Sequence, residues 1–103
     1  MNKYHAIRTT LNGRTYASRA EAAWSAFYQN ELSLGRLKAL EYQPMIELLP
    51  RPNRVKYVAD FKLTHLDGSE EYIDVKGVET DVFKLKKKML AYFHPEIKLT
   101  IVR

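Results

Sequence analysis

Residues 55–77 read VKYVADFKLTHLDGSEEYIDVKG, and this stretch decides the fold. Val55, Tyr57, Ala59, Phe61 and Leu63 alternate with Lys56, Val58, Asp60, Lys62 and Thr64, the two-residue period of a strand with one buried face. Asp67-Gly68 marks a hairpin turn. Glu70 to Lys76 then alternates in the same way, with Ile73 and Val75 on one face and Tyr72, Asp74 and Lys76 on the other. Gly77 ends the second strand.

Loop length sets the register. A three-residue loop, Leu66-Asp67-Gly68, with Gly68 left-handed as a bulge, places His65 opposite Ser69, Asp60 opposite Asp74 and Val58 opposite Lys76. A two-residue loop on Asp67-Gly68 places Asp60 opposite Val75 and sends the two acids to different faces. The buried alternation selects the first register, which also joins Ala59, Phe61 and Leu63 with Ile73 and Val75 on one apolar face.

Outward from the hairpin, Ser18-Arg19-Ala20-Glu21 is a capping box that starts a helix, and Asn12-Gly13 before it marks a turn. Ala20, Ala23, Trp24, Phe27, Tyr28 and Leu34 fall on one side of that helix, and Gly35 supplies its stop. Leu37 to Gln43 and Met45 to Leu49 are short runs cut by Pro44 and closed by Pro50 and Pro52, an extended segment at a sheet edge. Thr80 caps a second helix over 81–93, with Val82, Leu85, Met89, Leu90 and Phe93 on its apolar arc and His94-Pro95 as its stop. Ile97, Leu99 and Ile101 finish as a strand that returns by a right-handed crossover, parallel to its neighbour. The order helix, strands with a hairpin, helix, strand gives an α/β fold.

One hundred and three residues suffice for a single domain over 1–103, and hydrophobic residues at 46% provide its core. The net charge of +5 comes from 6 basic and 4 acidic residues in 1–50 against 11 and 8 in 51–103, so it is spread over the fold and favours a polyanionic partner. With no cysteine, any bound metal must be held by oxygen or imidazole. The N-terminal residues Met1 to His5 lead into no apolar run of signal-peptide length, and no stretch reaches the roughly 18 apolar residues of a membrane span. A cytoplasmic protein without a membrane partner is expected.

Two carboxylates opposed across a strand pair repel each other unless a cation sits between them. Asp60 and Asp74 therefore suggest Mg²⁺, with Mn²⁺ able to replace it, and Lys76 on the face of Asp74 is placed to orient or deprotonate an attacking water. A bare acid-x-Lys match is weak: Asp60-Phe61-Lys62, Asp74-Val75-Lys76 and Glu96-Ile97-Lys98 all fit it. Register singles out the second.

Taken together, Glu21 on the first helix, Asp60 on one hairpin strand and Asp74-Val75-Lys76 on the next resemble the PD-(D/E)XK nuclease superfamily. The stretches Ser18 to Glu21, Tyr57 to Phe61 and Asp74 to Gly77 are most similar to small phage-encoded members like the endonucleases that resolve branched DNA. The likeness spans roughly residues 14 to 95. Ala59 stands where the superfamily has Pro, and position 74 is Asp rather than Glu. The resemblance implies a restriction-endonuclease-like mixed sheet flanked by helices and a metal-dependent DNA endonuclease, a Holliday junction resolvase or other branched-DNA nuclease of phage recombination. It implies Glu21, Asp60, Asp74 and Lys76 as catalytic, with Asp60, Asp74 and Glu21 on the metal. A phage-encoded enzyme would act in the host cytoplasm, and one site per chain leads to an expected homodimer.

Each residue also has a plainer reading. Glu21 completes the capping box without further duty, Asp60 and Asp74 are solvated beside Lys62 and Lys76, and Lys76 is a surface ion-pair partner. Lys84, Lys87 and Lys88 face away from the apolar arc of the second helix, as DNA-phosphate contacts or as a solvated face. Lys86 falls inside the arc and either snorkels or points to the catalytic end as a further DNA contact. His5, His65 and His94 lack ligand spacing, and Gln43 before Pro44 is a weak candidate neighbour of the site. A non-catalytic nucleic-acid-binding module and a nuclease subunit of a larger transposition or repair assembly remain alternatives.

Overall fold

The computed structural model describes residues 8–11 and 13–103; His5 and Asn12 lie outside the described residues. A short hairpin, β1 (Thr9–Leu11) and β2 (Arg14–Tyr16), precedes α1 (Arg19–Ser33). Then come β3 (Leu37–Tyr42), β4 (Met45–Leu49), β5 (Val55–Val58), β6 (Phe61–His65), β7 (Glu70–Val75), α2 (Asp81–Phe93) and β8 (Leu99–Val102). The fold is α/β, with a mixed four-stranded sheet ordered β3-β6-β7-β8 and parallel pairing between β7 and β8 across α2.

The β6–β7 register is the one that buries the apolar face. Phe61 pairs with Ile73 and Thr64 with Glu70, while the His65 amide donates to the Ser69 carbonyl at 2.8 Å and Gly68 closes the loop at φ +89°. A positive φ there is what glycine accommodates at little cost. The ladder ends at Phe61–Ile73, so Asp60 lies just beyond it and Val58 pairs with Met45 instead of facing Lys76.

The single strand expected over 55–64 is two, β5 and β6, separated at Ala59-Asp60. The reason lies on the opposite strand. Pro44 has no amide to donate, and Gln43 before it takes φ +50°, so the paired chains bend there. The same register nevertheless runs through the bend, from Tyr42–Phe61 in one half to Met45–Val58 in the other. Gln43 N to Asp60 O (3.0 Å) and Ala59 N to Pro44 O (3.1 Å) bridge the gap. β3–β4 and β5–β6 thus form one long bent ribbon. Its near half joins the four-stranded sheet and its far half, β4–β5, leaves it.

The bend divides the core. Phe61, Leu63 and Ile73 pack with Tyr28 of α1, while Tyr57, Ala59, Ile46 and Leu48 pack with Phe83 and Leu90 of α2. The shared apolar face expected for Ala59 and Phe61 is therefore split between two clusters.

Both helices start where the capping residues place them. Ser18 Oγ accepts from Glu21 N at 3.1 Å, and Thr80 Oγ1 accepts from Phe83 N at 3.1 Å. Gly35 at φ +75° closes α1, with Arg36 N donating back to Glu31 O at 2.9 Å. The face α1 turns inward differs from its apolar arc. Ala22, Ser25 and Tyr28 are buried, while Ala20, Ala23 and Leu34 are exposed and Phe27 is 50% exposed. The rotation follows from polar partners: Ser25, with no exposure, meets Tyr16 Oη at 2.6 Å and Tyr42 Oη at 3.0 Å. A hydroxyl so satisfied can be buried at little cost. On α2, Phe83 and Leu90 are buried, whereas Val82 and Leu85 of the expected arc are exposed.

Candidate active site

The acids gather where the ribbon parts from β7. Asp60 stands on the ribbon at that fork, and its Oδ2 accepts from the Val75 amide at 2.7 Å, satisfying a backbone donor the ended ladder leaves over. Asp74, on β7, points to the α2 side and is only 1% exposed. Its Oδ2 accepts a hydrogen bond from the Tyr57 hydroxyl, and its Oδ1 is buried with no hydrogen-bond partner. Tyr57 itself is 2% exposed.

Glu21 reaches the same place from α1. One of its oxygens accepts from the Ala17 amide at 3.3 Å, so it serves the helix start, and its carboxyl also faces Asp60. Service to the helix start and proximity to Asp60 are thus combined in one side chain. Burial, the hydrogen bond with Asp60 and the charges of Asp60 and Asp74 push Glu21 up to about 7. Burial and Asp60 likewise push Asp74 up to about 6, against the opposing pull of Tyr57 and Lys76. Burial, and then the hydrogen bond and charge of Asp74, hold the Tyr57 phenol well above its ordinary value, so it remains a donor.

Lys76 sits between two clefts. One, of about 420 Å³, is lined by Ser18, Glu21, Asp60, Val75, Lys76 and Arg103. The other, of about 260 Å³, is lined by Tyr57, Asp74, Lys76, Thr80, Phe83 and Lys86. The Lys76 ammonium lies 4.7 Å from the Phe83 ring centroid, and its backbone is tied to β8 by Lys76 N to Val102 O at 2.9 Å. The Arg103 guanidinium donates to the carbonyls of Lys76 and Gly77 at 2.9 and 3.2 Å.

The four expected residues, Glu21, Asp60, Asp74 and Lys76, are thus brought together from α1, the ribbon and β7. Among the described residues no group of three Asp, Glu, His or Cys side chains is arranged as a ready metal cage. Mg²⁺ commonly takes one or two carboxylates and completes its shell with water and phosphate oxygens. The unpartnered Asp74 Oδ1 beside Asp60 fits that smaller demand. Lys86 turns inward to the Asp74 cleft, whereas Lys84, Lys87 and Lys88 are exposed on α2, with Lys87 Nζ 4.0 Å from Glu79. His65 and His94 stand away from the acids: His65 pairs with Glu71 at 2.9 Å, and His94 meets the Glu47 carbonyl at 2.9 Å.

Sequence reading passed over Tyr57 and Arg14. Tyr57 read as one more apolar position of a strand, although a buried tyrosine hydroxyl requires a partner. Arg14 lies on the β1–β2 hairpin, for which the Asn-Gly pair in the sequence was the signal.

No helix among the described residues is long and apolar enough to cross a membrane. No curated protein and no solved structure matches the chain. Residues 1–103 match the family described as "Protein of unknown function (DUF1064)", and the chain belongs to that family.

Proposed function

We propose that the chain is a metal-dependent endonuclease that hydrolyses phosphodiester bonds in DNA, with branched recombination intermediates as substrates, acting as a homodimer in the cytoplasm. The observation that carries this reading is the fork: Glu21, Asp60 and Asp74 converge from three elements, with Asp74 Oδ1 buried and unpartnered and Lys76 alongside. Carboxylates held this close raise one another's pKa, and a polar atom without a partner is costly to bury, so the arrangement suits a divalent cation. The order helix, strands with a hairpin, helix, strand supports this reading, being the one expected from the resemblance.

Asp60 and Asp74 would hold Mg²⁺ or Mn²⁺, with Glu21 as a further acidic group. When bound, the ion supplies a Lewis acid for the scissile phosphate and lowers the pKa of water. The protein's own groups do the rest. Lys76 places a positive charge between the two clefts, where it orients the attacking water. Glu21, lining the cleft with Asp60 and Lys76, would serve as a further acidic ligand or hold water there. Tyr57 fixes the orientation of Asp74 through its second oxygen.

The test is incubation with duplex, single-stranded, flap and four-way-junction DNA, with Mg²⁺ and with EDTA. Wild type should cut the junction with Mg²⁺ and not with EDTA. Asp74→Asn should abolish cutting while preserving or raising the metal-free melting temperature, because it removes like-charge repulsion. Marked destabilisation of Asp74→Asn without metal would make Asp74 structural. The net charge of +5 and the exposed Lys84, Lys87 and Lys88 support a second reading, a DNA-binding module without catalysis. Binding of junction DNA with no cutting in Mg²⁺ or Mn²⁺ would select it.

A further inference from the structure

The β1–β2 hairpin carries a cation to the edge of the acid cluster. It is pinned to α1 through Tyr16, 3% exposed, whose hydroxyl meets Ser25 Oγ at 2.6 Å. Arg14 is two residues before Tyr16, so its side chain leaves the strand on the same face. There the guanidinium carbon lies 3.9 Å above the centroid of the Tyr42 ring. That ring is itself fixed: its hydroxyl meets Ser25 and Gln29, and its edge packs on Phe61 with centroids 5.7 Å apart. Arg14, Tyr42, Gln43, Glu21 and Asp60 line one small recess.

Arg14 is held in place without being neutralised. Among the described residues no carboxylate lies within ion-pair distance of it, even though two acids share its recess, whereas Arg36 pairs with Glu31 at 3.1 Å and Arg103 with Glu79 at 3.6 Å. Stacking on an aromatic face orients a guanidinium but uses none of its five N–H donors. A flat, pre-set fork whose donors take no hydrogen bond among the described residues matches the geometry of phosphate oxygens, which a lysine ammonium cannot reproduce. Beside it Gln43 keeps φ +50°, a conformation costly for a residue other than glycine, of the kind that collects at working sites.

We propose that Arg14, clamped on Tyr42, binds a backbone phosphate of the nucleic-acid strand next to the carboxylate cluster. The assignment deepens the nuclease reading and rests on it for the identity of the ligand. Arg14 positions the strand; the acids act on the neighbouring phosphodiester. Because it touches backbone and not base, its effect is the same for unrelated sequences.

The experiment measures binding of a labelled duplex and a labelled four-way junction in EDTA, over a salt series, for wild type, Arg14→Gln, Arg14→Lys and Tyr42→Phe. Arg14→Gln should weaken binding about tenfold and lower the salt slope on the duplex by about 0.9, one phosphate contact. Arg14→Lys should recover the slope but not the full affinity, since it keeps charge and loses the flat stack. Tyr42→Phe keeps the ring but loses the hydroxyl that fixes it, so affinity should fall by less than for Arg14→Gln while the salt slope stays that of wild type. An Arg14→Gln protein with unchanged slope and affinity overturns the assignment, as does full recovery by Arg14→Lys, which would leave only diffuse charge. No step requires cleavage. A wild type that binds but never cuts, with the Arg14→Gln weakening present, keeps Arg14 as a phosphate contact and defeats the nuclease reading alone; a wild type that binds no DNA defeats both.

Discussion

Tyr57 donates its phenolic hydrogen to a carboxylate that water scarcely reaches, and the pair is the most enclosed polar contact at the fork. Removing that hydroxyl while keeping the ring leaves both oxygens of Asp74 without a partner. Tyr57→Phe should therefore lower the stability of the metal-free protein by about 1–3 kcal/mol, the cost of an unsatisfied buried group. Urea denaturation in EDTA measures it, and a midpoint equal to that of wild type would show that Asp74 finds another donor. The effect runs opposite to that expected for Asp74→Asn, so the two variants separate hydrogen bonding from charge. Asp60, Asp74 and Lys76 were legible in the sequence because strand parity and loop length are local properties. Tyr57 and Arg14 were not, because their roles depend on side chains 17 and 28 positions away, Asp74 and Tyr42, that only the bend and the hairpin docking bring near.

Element limits followed local chemistry closely. Ser18 and Thr80 start their helices and Gly35 and His94 end them, in agreement with capping signals that need no tertiary partner. Orientation was harder to read. The apolar arc of α1 mispredicts its buried face because Ser25 is satisfied by two tyrosines from other elements, and hydrophobic periodicity does not register that exchange. The ribbon's bend was hidden for a similar reason: residues 55–64 alternate without interruption, and the interruption is imposed by Pro44 across the pair. On α2 the division among lysines survives. Lys86 lines the Asp74 cleft, and Lys84, Lys87 and Lys88 stay exposed. Replacing those three with Gln should lower the salt slope of duplex binding by about 0.9 for each phosphate no longer neutralised, while stability changes by no more than about 0.5 kcal/mol. An unchanged slope across unrelated sequences assigns the run to a solvated face.

The whole molecule should show the acid cluster in its dependence on pH. Glu21 is raised from 4.5 to about 7 and Asp74 from 3.8 to about 6, chiefly by burial, so the folded state binds protons that the unfolded chain has released. The sign is fixed: their contribution is fully present below about pH 4 and is lost as pH rises through 6 and 7. Glu71 and Asp67, both lowered, act in the opposite sense and only in the acid range. In EDTA the melting temperature should fall from pH 5 to pH 8; Glu21→Gln should flatten the upper part of that fall, and Mg²⁺ should restore stability at pH 8. A wild-type profile flat between pH 5 and 8 would count against the cluster. The fork adds a geometric side to this picture. Asp60 rides on one prong, the ribbon that departs toward β4–β5, and Asp74 on the other, β7, with the Val75 amide as the pin between them. Because the two acids stand on different prongs, the spacing of their carboxylates is a property of the fork's angle and belongs to neither strand alone.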